Sequence, residues 1–307
     1  MKKNKTILIT GPTASGKSQL AIDIAMMING TIINADSMQV YESLNILTAR
    51  PQLAELAMAP HQLYGYVAGE EAYSVGRYID DARTAIAKCN EAGRIPIVVG
   101  GSGLYFKALL NGLSPVPQIP LHIRNYWRSK GDRIASQELH DILRKRDWKM
   151  AQRLQSRDRQ RILRALEVLD ATGKSLDDWQ RIPGVPVISC VSAVRVVLNP
   201  DRAIVDHNCK VRLEGMIANG ALDEVAILKA KNLSKEMPIM RALGVQPLLA
   251  HLQNQINLVD AIEATKTETS RYIKRQLTWF RGNMSAWNWI SEQEVKLLKE
   301  NIIQIVR

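Results

Sequence analysis

Short apolar runs rich in β-branched residues alternate with segments of helical periodicity along the first hundred residues of the chain. The spacing of the apolar positions predicts helices over Lys17–Ile28 and Val75–Ala92. The apolar runs predict strands at Thr6–Thr10, Thr31–Asn34, Gln62–Val67 and Ile95–Val99. Because strands and helices alternate, we expect the α/β class, with a mostly parallel sheet covered by helices on both faces.

The alternation stops at a proline-rich stretch, LSPVPQIP, over residues 113–120. Proline interrupts helices and strands alike, so this stretch predicts a boundary. The pattern is then helical until a second Pro/Gly stretch, IPGVPVIS, after which Val191–Pro200 predicts a strand that returns to the sheet. Further helices are predicted at Ala203–Ala218, Ala221–Lys231 and Leu258–Phe280. We therefore predict a core domain of residues 1–118 and 190–307, interrupted by a helical insertion domain of residues 119–189.

The bulk composition narrows the class of protein. A chain of 307 residues with 46% apolar residues can bury a sizeable core, and no run approaches the roughly 20 apolar residues that cross a bilayer. The basic start has only a short apolar run, so we expect no signal peptide, no membrane partner and a cytoplasmic protein. Cys89, Cys190 and Cys209 form no CxxC pair, which argues against a structural zinc site or a disulfide frame.

Positive charge is concentrated in the predicted insertion. The chain carries 41 Lys and Arg against 30 Asp and Glu, a net charge of +11. Residues 119–189 hold 15 of these basic residues and nine of the acidic ones. An excess that is local in this way indicates a polyanionic partner such as a nucleic acid.

One predicted helix carries much of this charge. It runs over Asp158–Thr172, with Gly173 as its stop. Its apolar stripe consists of Ile162, Leu166 and Leu169, and another face carries Arg157, Arg161 and Arg164. The sequence places few acidic residues near these arginines, which favours a phosphate-binding surface, although a solvated charged face stays open.

The stretch GPTASGKS lies between the first predicted strand and helix and satisfies the pattern GxxxxGK[ST] in full. Glycines at both ends permit a turn that directs backbone N–H groups toward phosphates, and Lys17 can reach the terminal phosphate. The Ser18 hydroxyl can ligate Mg²⁺. The predicted diphosphate- or nucleotide-binding residues are Gly11, Pro12, Thr13, Ala14, Ser15, Gly16, Lys17 and Ser18. The loop predicts a P-loop NTPase-like core but does not reveal what carries the phosphates.

Asp36 follows the second predicted strand and therefore lies at the edge of the sheet where the loop opens. It can contact a substrate, ligate Mg²⁺ or act as a general base, or it can cap a helix over the following residues SMQVY. The fourth strand ends in GGSG rather than in an acid. Its glycines, Gly100, Gly101 and Gly103, either let a ligand or another part of the chain approach closely or only form a tight strand-to-helix turn.

At this point the motifs taken together resemble those of tRNA dimethylallyltransferases of the bacterial type. GPTASGKS, NADSMQVY, LTARP, GRIPIVVGGSGLYFKALLNGL, DRQRILRALEV and TSRYIKRQLTWFRG occur in the order typical of this family, over nearly the whole chain. The resemblance implies that the loop holds the diphosphate of dimethylallyl diphosphate with Mg²⁺, although such proteins are often described as ATP-binding. It implies that the acceptor is N6 of the adenosine 3′-adjacent to the anticodon of a tRNA.

The resemblance also implies roles for particular residues. Asp36 is expected to be the catalytic base, and Arg241 is expected to approach the diphosphate. The residues expected to contact the tRNA anticodon stem-loop are Asp36, Ser37, Met38, Gln39, Ser102, Arg124, Gln160, Arg161, Ile162, Leu163 and Arg164. Arg271, Lys274 and Arg275 either add contacts to the RNA backbone or form a solvated face.

The sequence departs from the family pattern at five positions: Leu47, Arg50, Asn208, Val245 and Gln246. We expect none of them to touch the loop or Asp36, so the type of reaction should be kept. Two other functions stay open, a phosphate-loop kinase of a small metabolite and a non-catalytic RNA-binding module. We expect a monomer.

Overall fold

The computed structural model describes residues 5–306. The first four residues, whose two lysines belong to the basic start on which the prediction of no signal peptide depends, lie outside the described part. Within that part, six strands form one sheet in the order β3-β2-β4-β1-β5-β6, and every neighbouring pair is parallel. The strands are β1 (Thr6–Thr10), β2 (Gly30–Asn34), β3 (His61–Gln62), β4 (Ile95–Gly100), β5 (Ala193–Leu198) and β6 (Asn288–Ile290). The predicted α/β class with a parallel sheet is confirmed.

Helices fill the intervals between the strands. In chain order they are α1 (Lys17–Ile28), α2 (Leu53–Met58), α3 (Val75–Glu91), α4 (Gly103–Asn111), α5 (Leu121–Arg133), α6 (Ser136–Arg146), α7 (Trp148–Arg153), α8 (Arg159–Thr172), α9 (Leu176–Gln180), α10 (Arg202–Ala218), α11 (Ala221–Ala230), α12 (Val245–Leu252), α13 (Leu258–Asn283) and α14 (Val295–Val306). Two short 3₁₀ turns lie at Pro238–Arg241 and Glu292–Glu294. In residues 5–306 we find no helix with the length and apolar character needed to cross a membrane.

The central strand β1 is buried on both faces. Leu8 packs into one apolar cluster, whereas Ile7 and Ile9 pack into a second cluster with α1 and α14. Alternate side chains of a strand point to opposite faces, so these two clusters are the two layers of the α/β core. The loop after β1 therefore starts from one of the most deeply buried positions in the molecule.

The chain divides into two compact units. One comprises the residues up to Leu110 together with those from Val187 onward, and the other comprises Asn111–Pro186. The second unit contains α5 to α9 and has its own apolar core around Trp127, Leu139 and Leu166. Its function as a separate tRNA-binding domain stays a prediction.

One predicted strand is mostly absent. Of the run Gln62–Val67 only Gln62 belongs to the edge strand His61–Gln62, and Val67 makes a single bridge to Tyr41. Leu63 and Gly65 have φ values of 65° and 56°, which an extended strand cannot accommodate. The chain turns here instead, with Leu63 and Tyr64 half-buried, Tyr66 exposed and Val67 buried, so the apolar composition of the run does not reflect a strand.

Two elements at the carboxyl end were not predicted. Strand β6 has three residues and α14 follows it, packing on α1. Three residues are too few for a period-2 pattern to appear in the sequence.

Candidate active site

A glycine-rich loop joins β1 to α1 and forms the predicted phosphate cradle, Gly11–Ser18. A Cβ atom on Gly11 would lie 2.8 Å from the carbonyl oxygen of Leu198, so a side chain there would clash with β5. Gly16 directly precedes α1 with φ +84°, in the left-handed region that glycine adopts without strain. The loop thus ends on the amino end of a helix, where free N–H groups favour an anion.

Lys17 is the first residue of α1. Its ammonium group donates to the carbonyl oxygen of Pro12 at 3.1 Å. The pKa of Lys17 is lowered to about 8, chiefly by burial and to a smaller extent by the charge of Arg212, while the carboxylate of Asp36 acts in the opposite direction. An anion in the loop would favour the charged form of Lys17.

Asp36 is held in place by the fully buried Asn34 at the end of β2. The Asn34 side chain accepts from the backbone N–H of Asp36 at 2.8 Å and donates to its carbonyl oxygen at 3.0 Å. One carboxylate oxygen of Asp36 accepts from the N–H of Met38 at 2.9 Å. The alternative in which Asp36 caps a helix over SMQVY is wrong, because these residues form bends and turns. The carboxylate closes a local turn instead.

The glycine-rich end of β4 packs against the turn that carries Asp36. Gly100 lies so close to the backbone of Ala35 that a Cβ atom would overlap it. The Ser102 hydroxyl accepts from the backbone N–H of Ser37 at 2.9 Å. These glycines form the turn from β4 to α4, and other parts of the protein's own chain approach them closely.

Two side chains on other helices bind the loop, and neither was predicted from the sequence to do so. Gln276 on α13 is buried, and its amide accepts from the N–H of Thr13 and donates to the carbonyl of Gly101, each at 3.0 Å. Arg212 on α10 donates to the Thr13 hydroxyl. Burial lowers the pKa of this guanidinium, and the charge of Asp36 partly opposes the shift. Gln276 lies within a motif quoted above, but only the tertiary structure shows what it bonds.

Two cavities meet at the loop. An inner cavity of about 240 Å³ combines charged groups, such as Lys17 and Asp36, with apolar ones, such as Met38 and Leu243. An outer, more polar cleft of about 950 Å³ runs along the loop. The residues that line both are Thr13, Lys17, Asp36, Thr48, Arg212 and Met216. A molecule in the outer cleft and one in the inner cavity would therefore both reach Asp36.

The structure brings several predicted residues of the core together. Besides the loop residues Thr13 and Lys17, those lining the inner cavity are Asp36, Ser37, Met38 and Arg241. Arg241 is exposed and ends the 3₁₀ turn Pro238–Arg241. Gln39 lines the outer cleft, and its NH₂ group already donates to the carbonyl oxygens of Thr48 and Ala49 at 3.0 and 2.9 Å. Ser102 lies next to this group and accepts the hydrogen bond from the backbone N–H of Ser37.

The positions that depart from the family pattern are closer to this site than expected. Leu47 lines the inner cavity, and the Asn208 amide donates to the carbonyl oxygen of Ala14 in the loop at 3.3 Å. The expectation that no departure touches the loop is therefore wrong for Asn208. Helix α10 runs alongside the loop. The sequence does not reveal this contact, because the helix and the loop are far apart in the chain.

Helix α8 presents the other predicted set in the helical unit. It begins after the cap Asp158 and ends at Gly173, which has φ +67°, as the sequence predicts. Ile162 is fully buried in the core of this unit, and Leu163 is packed against that core. Their side chains support the helix from below, so Gln160 and Arg161 are the members most open to solvent, whereas Arg164 and Arg124, the latter on α5, are half-buried.

The arginines of α8 have more acidic partners than the sequence indicated. Arg161 lies 3.3 Å from Asp158, and Arg164 lies 3.6 Å from Glu167. Both pairs have the i,i+3 spacing that places side chains together on one face of a helix. The expectation that these arginines scarcely have acidic partners is wrong for this pair of residues. The Arg161 side chain is nevertheless 74% exposed.

Comparison with known proteins identifies relatives over the whole chain. A family profile described as IPP transferase matches residues 39–283, and one described as isopentenyl transferase matches residues 4–64. A tRNA dimethylallyltransferase of Azorhizobium caulinodans is 48% identical over 285 residues, which cover 93% of this chain and 91% of the relative. One of Rhodopseudomonas palustris is 44% identical over 98% of this chain and 94% of its own length.

Solved structures agree. The tRNA isopentenylpyrophosphate transferase of Bacillus halodurans superposes with a TM-score of 0.71 and 29% identity, covering 99% of this chain and 97% of that one. A eukaryotic dimethylallyltransferase acting on tRNA gives a TM-score of 0.78 and 27% identity, covering 94% and 74%.

Proposed function

The chain belongs to the tRNA dimethylallyltransferase family, and from this premise we propose that it transfers a dimethylallyl group from dimethylallyl diphosphate to N6 of the adenosine 3′-adjacent to the anticodon. As a member it is an enzyme, a prenyltransferase of tRNA modification. The observation that supports this choice of donor and acceptor is that Lys17 and Asp36 line both cavities. A donor diphosphate and an acceptor base can meet only where both groups are within reach.

We propose that the donor's diphosphate lies in the loop. The amino end of α1, the ammonium of Lys17 and the guanidinium of Arg212 supply positive charge there. Arg241 lines the adjoining inner cavity and can approach the same anion. These groups stabilise the charge that develops on the leaving oxygens as the carbon–oxygen bond breaks.

Ser18 is exposed at the start of α1, where its hydroxyl can ligate Mg²⁺ bound to the diphosphate. Residues 5–306 contain no cluster of three or more His, Cys, Asp or Glu that would hold a metal by themselves. This donor set fits Mg²⁺, which is commonly held by few protein ligands together with phosphate oxygens and water. When bound, Mg²⁺ would neutralise charge on the leaving diphosphate.

We propose that Asp36 is the general base. The lone pair of the adenine amino group is delocalised into the ring, so N6 is a weak nucleophile. N6 attacks the allylic C1 of the donor, the C1–O bond breaks, diphosphate leaves, and the N6 proton passes to the Asp36 carboxylate. The turn held by Asn34 and Ser102 fixes where this carboxylate points.

We propose that the helical unit binds the anticodon stem-loop through Arg124 and the exposed polar residues of α8. The target base lies within the tRNA loop and must leave its stack to reach Asp36. Support comes from the exposed arginines and from the eukaryotic relative that acts on tRNA. We further propose that the protein acts as a cytoplasmic monomer. ATP binding in the loop stays a prediction.

The kinase alternative is not favoured, because the relatives that match nearly the whole chain are named for transfer to tRNA. The test incubates the protein with Mg²⁺, labelled dimethylallyl diphosphate and unmodified tRNA. Label is expected in the adenosine next to the anticodon, located by nuclease digestion and mass spectrometry. A protein that transfers phosphate from ATP to a small metabolite and leaves tRNA unlabelled would refute the proposal.

A further inference from the structure

Three arginines of the helical unit lie around one buried carboxylate. Arg124 and Arg128 are one turn apart on α5, and Arg164 is on α8, which packs against α5. The two helices approach closely at Gly131, where a Cβ atom would lie 3.1 Å from the Cδ atoms of Leu163. Because the helices come this near, side chains from both of them can share one partner.

The shared partner is Glu167 of α8, which is only 5% exposed. One of its carboxylate oxygens lies 3.8 Å from Nε of Arg128, and the other lies 3.6 Å from Nη1 of Arg164. Both distances are too long for hydrogen bonds, so the donors of these two guanidinium groups are not used up by the carboxylate. One negative charge also faces three positive ones, which leaves an excess of two positive charges within this group of four side chains.

Water compensates this excess only in part. Burial lowers the pKa of Arg164, the charge of Glu167 opposes this shift, and the nearby charge of Arg124 adds to it. Nε of Arg124 is buried and has no hydrogen-bond partner within residues 5–306. A buried donor without an acceptor costs free energy, as do like charges held close together. An anion that accepts hydrogen bonds from these groups would remove both costs.

An anion can reach this group of side chains from solvent. The side chains of Arg128 and Arg164 are 51% and 41% exposed, so the arginines form the outer layer and Glu167 the inner one. Planar guanidinium groups that approach from two helices match the several oxygens of a phosphate, which can accept from more than one of them.

We propose that Arg124, Arg128 and Arg164 form a clamp for a single phosphate of the RNA backbone, and that Glu167 sets the spacing of the three guanidinium groups. The inference rests on the proposed function, since that function identifies the polyanion as tRNA. It assigns a role to Arg128 and a defined anion site to the contact between α5 and α8. A clamp differs from a diffuse basic face because one particular phosphate should account for its effect on binding.

The experiment measures binding of an anticodon stem-loop by fluorescence anisotropy, with neutral methylphosphonate linkages placed one at a time in its backbone. At one position the neutral linkage should weaken binding to wild type by about five- to tenfold, the effect of losing a hydrogen bond to a charged group. Arg128→Ala should weaken binding of the unmodified stem-loop by a similar factor. In this variant the neutral linkage at that same position should have no further effect, because residue and phosphate act as one pair.

A second measurement needs no RNA. Sulfate resembles a phosphate group and should raise the Tm of wild type more than that of Arg128→Ala, since it binds the folded clamp. Thermal unfolding also shows whether the variant is folded. Arg128→Lys keeps the charge but not the planar fork, so it should restore the salt dependence of RNA binding and only part of the affinity.

Arg133→Ala is the matched control, because Arg133 is an exposed arginine in the last turn of the same helix. It should behave as wild type toward sulfate and toward every methylphosphonate position. Loss of affinity in Arg128→Ala without coupling to any one phosphate, or an equal loss in Arg133→Ala, would overturn the clamp. A wild type that binds no stem-loop but keeps the sulfate difference would instead refute the proposed function and leave the anion site standing.

Discussion

The loop edge of the core and the arginine face of the helical unit both offer positive charge, but they hold it in opposite ways. In the core, buried amides fix the groups that surround this charge: Asn34 holds the turn of Asp36, and Gln276 holds the loop at Thr13. On α8, exposed arginines are tethered only by ion pairs such as Arg161 with Asp158. The first arrangement suits a bond that breaks at one defined place. The second suits attraction of a flexible polyanion.

The energies of the two arrangements differ accordingly. An exposed ion pair contributes about 0–1 kcal/mol, so Arg161 can exchange its carboxylate for a phosphate at small cost. Replacing a buried amide so that its partner groups lose their hydrogen bonds lowers the free energy of unfolding by about 1–3 kcal/mol. We therefore expect changes in the core to alter turnover or stability, and changes on α8 to alter affinity for RNA and its dependence on salt.

The largest effect is expected at Asp36. Asp36→Asn keeps an oxygen that can accept from the Met38 N–H but removes the base, so kcat should fall by about 10²–10⁴-fold. Binding of tRNA, measured by filter retention or anisotropy, should change less than about threefold, since the turn is preserved. Asp80→Asn, on the exposed face of α3, is the control. Full turnover in Asp36→Asn would remove Asp36 from the chemistry.

The next effect is expected at Gln276. Gln276→Met keeps similar bulk but leaves the Thr13 N–H and the Gly101 carbonyl without their partner, so unfolding free energy should fall by about 1–3 kcal/mol. KM for the diphosphate donor should rise because the loop loses its restraint. Urea unfolding and steady-state kinetics measure both. Gln137→Met, an exposed glutamine of α6, should change neither.

The same contrast explains what the sequence could predict. The loop and α1 are contiguous, and Asp36 follows β2, a parallel strand that ends at the same edge of the sheet as β1, so the motif and the predicted parallel sheet bring them together. Arg212 and Gln276 are joined to the loop only by folding, since they lie 199 and 263 residues from Thr13 in sequence. The acidic partners on α8 could have been predicted, because Asp158 and Glu167 lie three positions from Arg161 and Arg164 along a helix that the sequence itself predicts.

A smaller effect is expected on the arginine face. Arg161→Ala should weaken tRNA binding by a few-fold and reduce the slope of log K against log salt by about 0.7–0.9, since one phosphate contact is lost. Turnover at saturating tRNA should be unchanged. The matched control is Arg83→Ala, another exposed arginine in an i,i+3 ion pair but on α3 of the core. Equal effects of the two variants would show that the position of the charge on α8 is irrelevant.

The smallest effect is the uptake of a fraction of a proton when a diphosphate binds, and it tests whether the Lys17 side chain is shielded from solvent. With the pKa of Lys17 near 8, about half of these side chains are neutral at pH 8 in the free protein. A diphosphate in the loop raises this pKa, so binding at pH 8 should take up about half a proton, and almost none at pH 6.5. Calorimetry of a thiolodiphosphate analogue in buffers of different ionisation enthalpy measures the uptake. In Lys17→Met, the proton uptake on binding should be the same at both pH values. An extra uptake at pH 8 that persists in this variant would belong to another group, and Lys17 would then be as solvated as the arginines of α8.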